Sequence, residues 1–334
     1  MAPINANQTF LLYAKESAYG TPVSDTKDLG LIQSVTPTDN VLPMHSTALG
    51  SSEIQDLDWG RHEIGLRIDM DVQHSRVFEL LTGGTVVHTQ SGATADWSHE
   101  FATNLASTLP SATIGLHHDL TTDAVSKYEG CVATSGTLSM DVNGILKLSM
   151  DLVAQSVVTG TTAGTKVIST LKPFKAHQAT LSTGVISSEA TLADVQRFEF
   201  TINNIASGDP RVYKLGSRLV SFADMQGRTM TFSFTVAYAN LTEYQRMLGG
   251  SAGSATSPTD TGAAPTLCGL VFNANNGVAA GSGRQDIIIN LSNVLYTSIS
   301  RPMQVNNWIM ATIEGVAQTL DSFSMYDTLT SSTF

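Results

Sequence analysis

At 334 residues and 42% apolar composition, the chain is long enough for two domains of ordinary size and too apolar to stay disordered. Charged residues are only 14%, so Ser, Thr, Asn and Gln must supply much of the polar surface, as suits strand faces and packed subunit contacts. The net charge of −11, with no basic patch, excludes phosphate neutralisation as a way of binding nucleic acid specifically, and no apolar run is long enough for a membrane span.

Met1 to Asn7 shows neither a basic nor an apolar signal region, so synthesis in a cytoplasm is expected. A first strand is predicted over Thr9–Ala14, ended by Gly20-Thr21-Pro22. Residues 35–60 are extended without strict alternation and contain the acidic run Ser51-Ser-Glu53-Ile-Gln-Asp56-Leu-Asp58-Trp59. Ile64, Leu66, Ile68, Met70 and Val72 then alternate as one face of a strand. A short helix follows from Ser75, its N-cap, to the stop Gly83-Gly84.

Residues 85–125 carry His99-Glu100 and His117-His118-Asp119. The adjacent pair would point to opposite faces of a strand and no second cluster completes a metal site, so these read as surface or partly buried histidines. Asn143-Gly144 marks a hairpin turn. A three-residue loop pairs Val142 with Leu146 and Met140 with Leu148, keeping the apolar face, whereas a two-residue loop breaks it. Residues 156–195, biased to Ser, Thr and Gly, read as a connection, and residues 251–262 as an exposed loop.

The 49–84 stretch recurs 166 residues later: Gly50 falls on Gly216, Gly84 on Gly250, and Ile64–Val72 on Met230–Tyr238. A second helix is expected from an N-cap at Thr242 to Gly249-Gly250. Val153-Ala-Gln155 recurs as Val316-Ala-Gln318, 163 residues on, each ending an alternating strand. Parity is kept in both, and a slip of one residue would turn every side chain over. We read the chain as mainly β, two tandem copies of one unit, 1–165 and 166–334, each with a short flanking helix and a long hairpin or loop arm. Cys131 and Cys268 are non-equivalent and read as reduced, packed residues.

No nucleophile elbow, phosphate loop, zinc spacing or dinucleotide fingerprint is present, so no enzyme, metal or cofactor is expected. Gly281-Ser-Gly283 precedes a strand, not a helix, and Asp69 and Asp71 fit a solvated strand face better than a glycosidase pair.

Lys15-Glu16-Ser17-Ala18-Tyr19-Gly20-Thr21-Pro22 resembles the opening of many major tail tube proteins of long-tailed, non-contractile bacteriophages. Tyr128-Glu-Gly130, leading into Thr137-Leu-Ser-Met140 and the Asn143-Gly144 turn, is similar to a later segment of the same proteins. The resemblance implies β-sandwich domains whose sheets join into the inner barrel of a virion tail tube, conducting DNA at genome ejection. With two domains per chain it implies a trimeric, pseudo-six-fold ring, stacked helically. The implied partners are further copies, the tape measure protein and DNA inside the lumen, and tail terminator and tail-tip proteins. Stacking arms would lie at 41–60 and 206–226, giving Ser51, Glu53, Asp56, Asp58, Trp59, Ser217, Arg218, Phe222 and Asp224 as candidates. A lumen that passes DNA must not hold it, so Glu63, Asp69, Asp71, Asp141, Asp151 and Glu314 are candidate lumen residues, with Arg67 and Lys147 softening the field. The competing expectation is a tail-tip, baseplate or secretion-tube binding module.

Overall fold

The computed structural model describes residues 8–47, 53–83, 85–90, 96–101, 109–120, 123–169, 171–204, 211–223, 227–258, 267–278, 283–303, 305 and 308–330, the side chain of residue 55 excepted. In chain order the strands of the first half are β1 (Thr9–Lys15), β2 (Leu31–Thr47), β3 (Ile54–Asp71), β4 (Val86–Gln90), β5 (Trp97–Phe101), β6 (Ala112–His118), β7 (Ala124–Asp141), β8 (Lys147–Ala154) and β9 (Ser156–Gly160), with helix α1 (Arg76–Thr82) after β3. The second half has β10 (Ala179–Val185), β11 (Ser188–Thr191), β12 (Val195–Asn203), β13 (Arg211–Tyr213), β14 (Val220–Ala223), β15 (Thr229–Ala237), β16 (Cys268–Asn275), β17 (Asp286–Ser300) and β18 (Met310–Asp327), with α2 (Thr242–Gly249) after β15. The fold is mainly β. Sixteen strands form one antiparallel sheet, and β13–β14 form a separate pair.

Pairing follows the same order in the two halves. In the first it runs β1-β6-β7-β8-β3-β2, and in the second β10-β16-β17-β18-β15-β12. Ile64 pairs Ala154 as Met230 pairs Ala317, which are the 166- and 163-residue spacings of the sequence. Irregularities coincide as well. β7 skips Thr134 against β8 and β17 skips Thr297 against β18; β2 skips Gln33 and β12 skips Gln196. Each skipped threonine hydroxyl donates to a backbone carbonyl of the partner strand, Thr134 to Asp151 O (3.0 Å) and Thr297 to Glu314 O (3.2 Å). Such bulges bend a strand and sharpen its twist.

The apolar faces read from the sequence are the core. Ile64, Ile68, Phe200, Phe234 and Ile313 are fully buried, in one cluster that continues across both halves. Phe198 of β12 stacks on Phe272 of β16 at 4.5 Å, so β16 lies over the apolar side of the main ladder. Cys131 and Cys268 are buried free thiols.

Several expectations need correction. The Asn143 hairpin pairs Leu138 with Leu148, two residues away from the expected register but on the same face. Gly144 N–H closes the turn on Asp141 O, and Ile145 and Leu146 leave the ladder to meet Lys175 and Phe174. Within the expected connection, 179–191 is a hairpin turning at Ser187, whose φ is 66°. The strand through Val316-Ala317-Gln318 does not end there but runs on to Asp327. The residue before α2 is Leu241 rather than Thr242, and Asn240 Oδ1 accepts the Thr242 N–H at 3.0 Å. Ser75 precedes α1, yet its hydroxyl donates to Asp327 Oδ2 (2.7 Å) instead of capping.

His99 and His117 are fully buried, not near the surface. His99 Nε2 lies 2.8 Å from Asp327 Oδ1, and His117 is bonded to Asp25. Burial raises the Asp327 carboxyl, but the His99 hydrogen bond and charge outweigh it and hold the group below its usual range.

Candidate functional site: a polar sheet face and two arms

Eight strands in the order β17-β18-β15-β12-β7-β8-β3-β2 form a continuous ladder whose second face is polar. One row across it reads Ser298, Glu314, Ser233, Glu199, Ser139, Lys147 and Asp71. The next reads Thr231, Thr201, Thr137, Ser149, Asp69 and Ser34. The side chains on this face bond to one another: Ser34 Oγ to Asp69 Oδ2 at 2.6 Å, Thr137 Oγ1 to Thr201 Oγ1 at 2.9 Å, and Ser135 Oγ to Asp151 Oδ2 at 3.1 Å. Lateral side-chain pairs of this kind stabilise a polar strand surface.

All six acids picked from alternation, Glu63, Asp69, Asp71, Asp141, Asp151 and Glu314, lie on this one face. Asp71 is covered, accepting a hydrogen bond from Gln33 Nε2 at 2.8 Å, and the others reach solvent to differing degrees. Glu199 and Arg197 belong to the same face and were missed, although Phe198, Phe200 and Ile202 alternate with them. The face therefore carries seven carboxylates against Arg67, Lys147 and Arg197, with Arg61 paired to Glu63 at its margin (3.0 Å). Arg197 bridges Glu199 at 2.8 Å and Asp141 at 3.6 Å. The hydroxyls of Ser149 and Ser34 hold the Asp69 carboxyl below its ordinary value, so it stays charged. Such a surface repels phosphate. Among the described residues no group of three His, Cys, Asp or Glu gathers as a metal would need.

The arms lie at one end of this ladder. The first is the far part of the β2–β3 hairpin, Pro43 opposite Trp59 and Thr47 opposite Ile54, and it exposes Met44, Ile54, Leu57 and Trp59 beside Glu53, Asp56 and Asp58. The second is β13–β14, where Phe222 is exposed opposite Val212. The arms are not independent. His62 N–H donates to Arg218 O (2.9 Å), Arg218 Nε to Gly60 O (3.0 Å), and the Arg218 guanidinium sits 5.0 Å from the Trp59 ring. Ser217 closes the adjoining turn, its N–H on Lys214 O at 3.2 Å. Ser51 and Asp224 lie outside the described residues.

The stretches that carried the resemblance meet in the fold. The Glu16 carboxylate is buried and accepts from Gly20 N–H, Ser111 Oγ, Thr113 Oγ1 and Gly130 N–H, all within 3.0 Å. Gly20 and Gly130 both have positive φ, which their lack of a Cβ permits. The two motifs are therefore halves of one structural knot. A family model described as "Phage tail tube protein" matches residues 6–295. The chain belongs to that family. A comparison with curated protein sequences gives no match. Membership makes this phage tail tube protein a structural component of the virion tail that self-assembles into a tube, in a family that is not one of enzymes. No helix among the described residues is long and apolar enough to cross a membrane.

Proposed function

We propose that this chain builds the hollow tube of a long, non-contractile phage tail, with the polar face of the eight-strand ladder turned to the lumen. The observation that carries the reading is that face. It crosses both halves without a break, it is hydroxyl-lined, its charge is mainly negative, and its opposite side is the apolar core. DNA and the tape measure protein would pass along it without sticking, since its acids outnumber its cations and the net negative charge repels phosphate.

The two halves are read as duplicated tube domains divided near residue 165, supported by their common strand order, registers and bulges. Three chains would then make a ring with six-fold outline. The exposed apolar residues of the first arm, Met44, Ile54, Leu57 and Trp59, would join stacked rings, and terminator and tip proteins would meet the two ends of the stack.

The test is electron microscopy of the purified protein at high concentration. Hollow tubes with Asp69, Asp151, Glu199 and Glu314 on the inner wall are expected. A map that puts these acids on the outer wall or between rings overturns the lumen assignment.

A further inference from the structure

Each half presents the same pair of edges, but only one junction is closed within the chain. The end of β7, from Ser135 to Asp141, pairs along its outer edge with β12 of the second half. The equivalent end of β17, from Ser298 to Ser300, lies beyond the reach of β16, whose pairing stops at Val294, and has no ladder partner on that edge among the described residues. The equivalent of β12 is β2, which among the described residues pairs only with β3. One open donor edge and one open acceptor edge are thus left at opposite ends of the ladder.

Resting on the tube reading above, we propose that β2 of one copy adds to the edge of β17 in the next, in the register by which β12 adds to β7. Within the chain Ser135 pairs Asn203, Gly136 pairs Ile202 and Thr137 pairs Thr201. Carried over by the 163-residue spacing, these become Ser298 with Asn40, Ile299 with Asp39 and Ser300 with Thr38 of the neighbouring copy. The Thr137–Thr201 hydroxyl contact is reproduced by Ser300 and Thr38. The pair between them changes character: Ile202 faces glycine inside the chain, whereas Ile299 would face Asp39, whose carboxylate is held by His62.

The helices supply a second observation. Every residue of α1 is buried. Its C-terminal carbonyls are covered from the second half, Leu81 O by Asn204 Nδ2 (2.9 Å) and Thr82 O by Arg228. In α2 only Glu243 is buried. α2 stands at the open edge as α1 stands at the closed one, and a neighbour docked by β2 supplies the missing cover. Because the two edges differ, the contact is head-to-tail, the kind that makes a ring when the rotation from copy to copy closes, as the tube reading requires.

The experiment is oxidation of a Thr38→Cys/Ser300→Cys variant at a concentration that gives tubes. Directly opposed strand positions lie within disulfide reach, and the native thiols are buried. A covalent ladder ending at three chains is expected, while Thr137→Cys/Thr201→Cys joins no chains and Ser34→Cys/Ser300→Cys, four residues out of register, gives no ladder. Tubes that form without cross-linking, or that cross-link equally in the shifted pair, overturn the strand pairing and leave the tube reading standing. Cross-linked trimers that never stack uphold the pairing and count against the tube. Neither tubes nor cross-links overturns both.

Discussion

The first and second halves share a ladder plan and differ at their margins. Ile64, Leu66, Ile68 and Met70 occupy the positions of Met230, Phe232, Phe234 and Val236, with the same strands on either side. Yet α1 is enclosed and α2 is open; the first arm is a long apolar hairpin and the second a short pair that braces it. Features common to both halves maintain the ladder. Features that differ lie where one half meets the other inside the chain and where the second half faces outward. The asymmetry locates the work left for assembly.

The strongest way to break this comparison is to weaken equivalent edge residues. Phe200→Ala, at the closed junction, removes a fully buried ring and should lower stability by about 4 kcal/mol in urea denaturation. Pro37→Ala, its counterpart on the open edge, should change the monomer by less than about 0.5 kcal/mol. Similar losses in both would show that β2 is already part of a closed surface.

The helix anchors give the next largest contrast. Arg76 donates to the Asp28 carboxylate (2.6 Å) and carbonyl (2.9 Å) at the start of the enclosed helix, with His74 3.2 Å from the same carboxylate. Asp28→Ala takes the carboxylate away from a buried guanidinium and should cost about 3 kcal/mol. Glu243 holds Arg246 and the Tyr296 hydroxyl (2.9 Å) under the open helix. There Glu243→Ala should cost about 2 kcal/mol, because Arg246 keeps Thr183 Oγ1 (2.6 Å) and Ser251 O (3.2 Å) as partners. Equal losses would argue that α2 needs no further cover.

Acid should separate the halves in the same direction. Burial raises the Asp28 carboxyl, but His74 and Arg76 together bring it down to about 2, below its value of about 3.9 in an unfolded chain. The stability it supplies is present in full above about pH 4 and is lost as pH falls through about 2. Thermal melts from pH 5 to 2 should decline less steeply in Asp28→Ala than in the parent; parallel curves would remove Asp28 from the account. The smallest expected effect sharpens the likeness instead. Thr134→Ala and Thr297→Ala should each cost about 1 kcal/mol, since each deletes the same hydroxyl-to-carbonyl bond at a bulge.

Much of the plan was legible because alternation and spacing survive in the chain itself. Ile64–Val72 and Met230–Tyr238 announce which face is core, and the acids between core residues fall on one surface for that reason alone. What could not be read depends on distant partners. Nothing near His99 announces Asp327, or near Leu81 announces Asn204 and Arg228, because those contacts exist only once the halves are joined. The Asn143 register misled because Leu146 is claimed by Phe174 and Val72 rather than by the opposite strand. β10 and β11 look like loop because their Ser, Thr and Gly residues pair mostly through backbone.

The open edges have a kinetic consequence. Pro37 sits within one and Pro302 just past the other, and an imino nitrogen cannot extend a ladder. On the edge pairing proposed above, the first encounter of two chains would be limited to a few backbone bonds, whereas the last chain to enter a ring would be gripped at both ends at once, with the gain in effective concentration that this brings. Growth should therefore show a lag and a critical concentration, abolished by a preformed ring offered as a template, so that tubes start where the virus needs them and not throughout the cell.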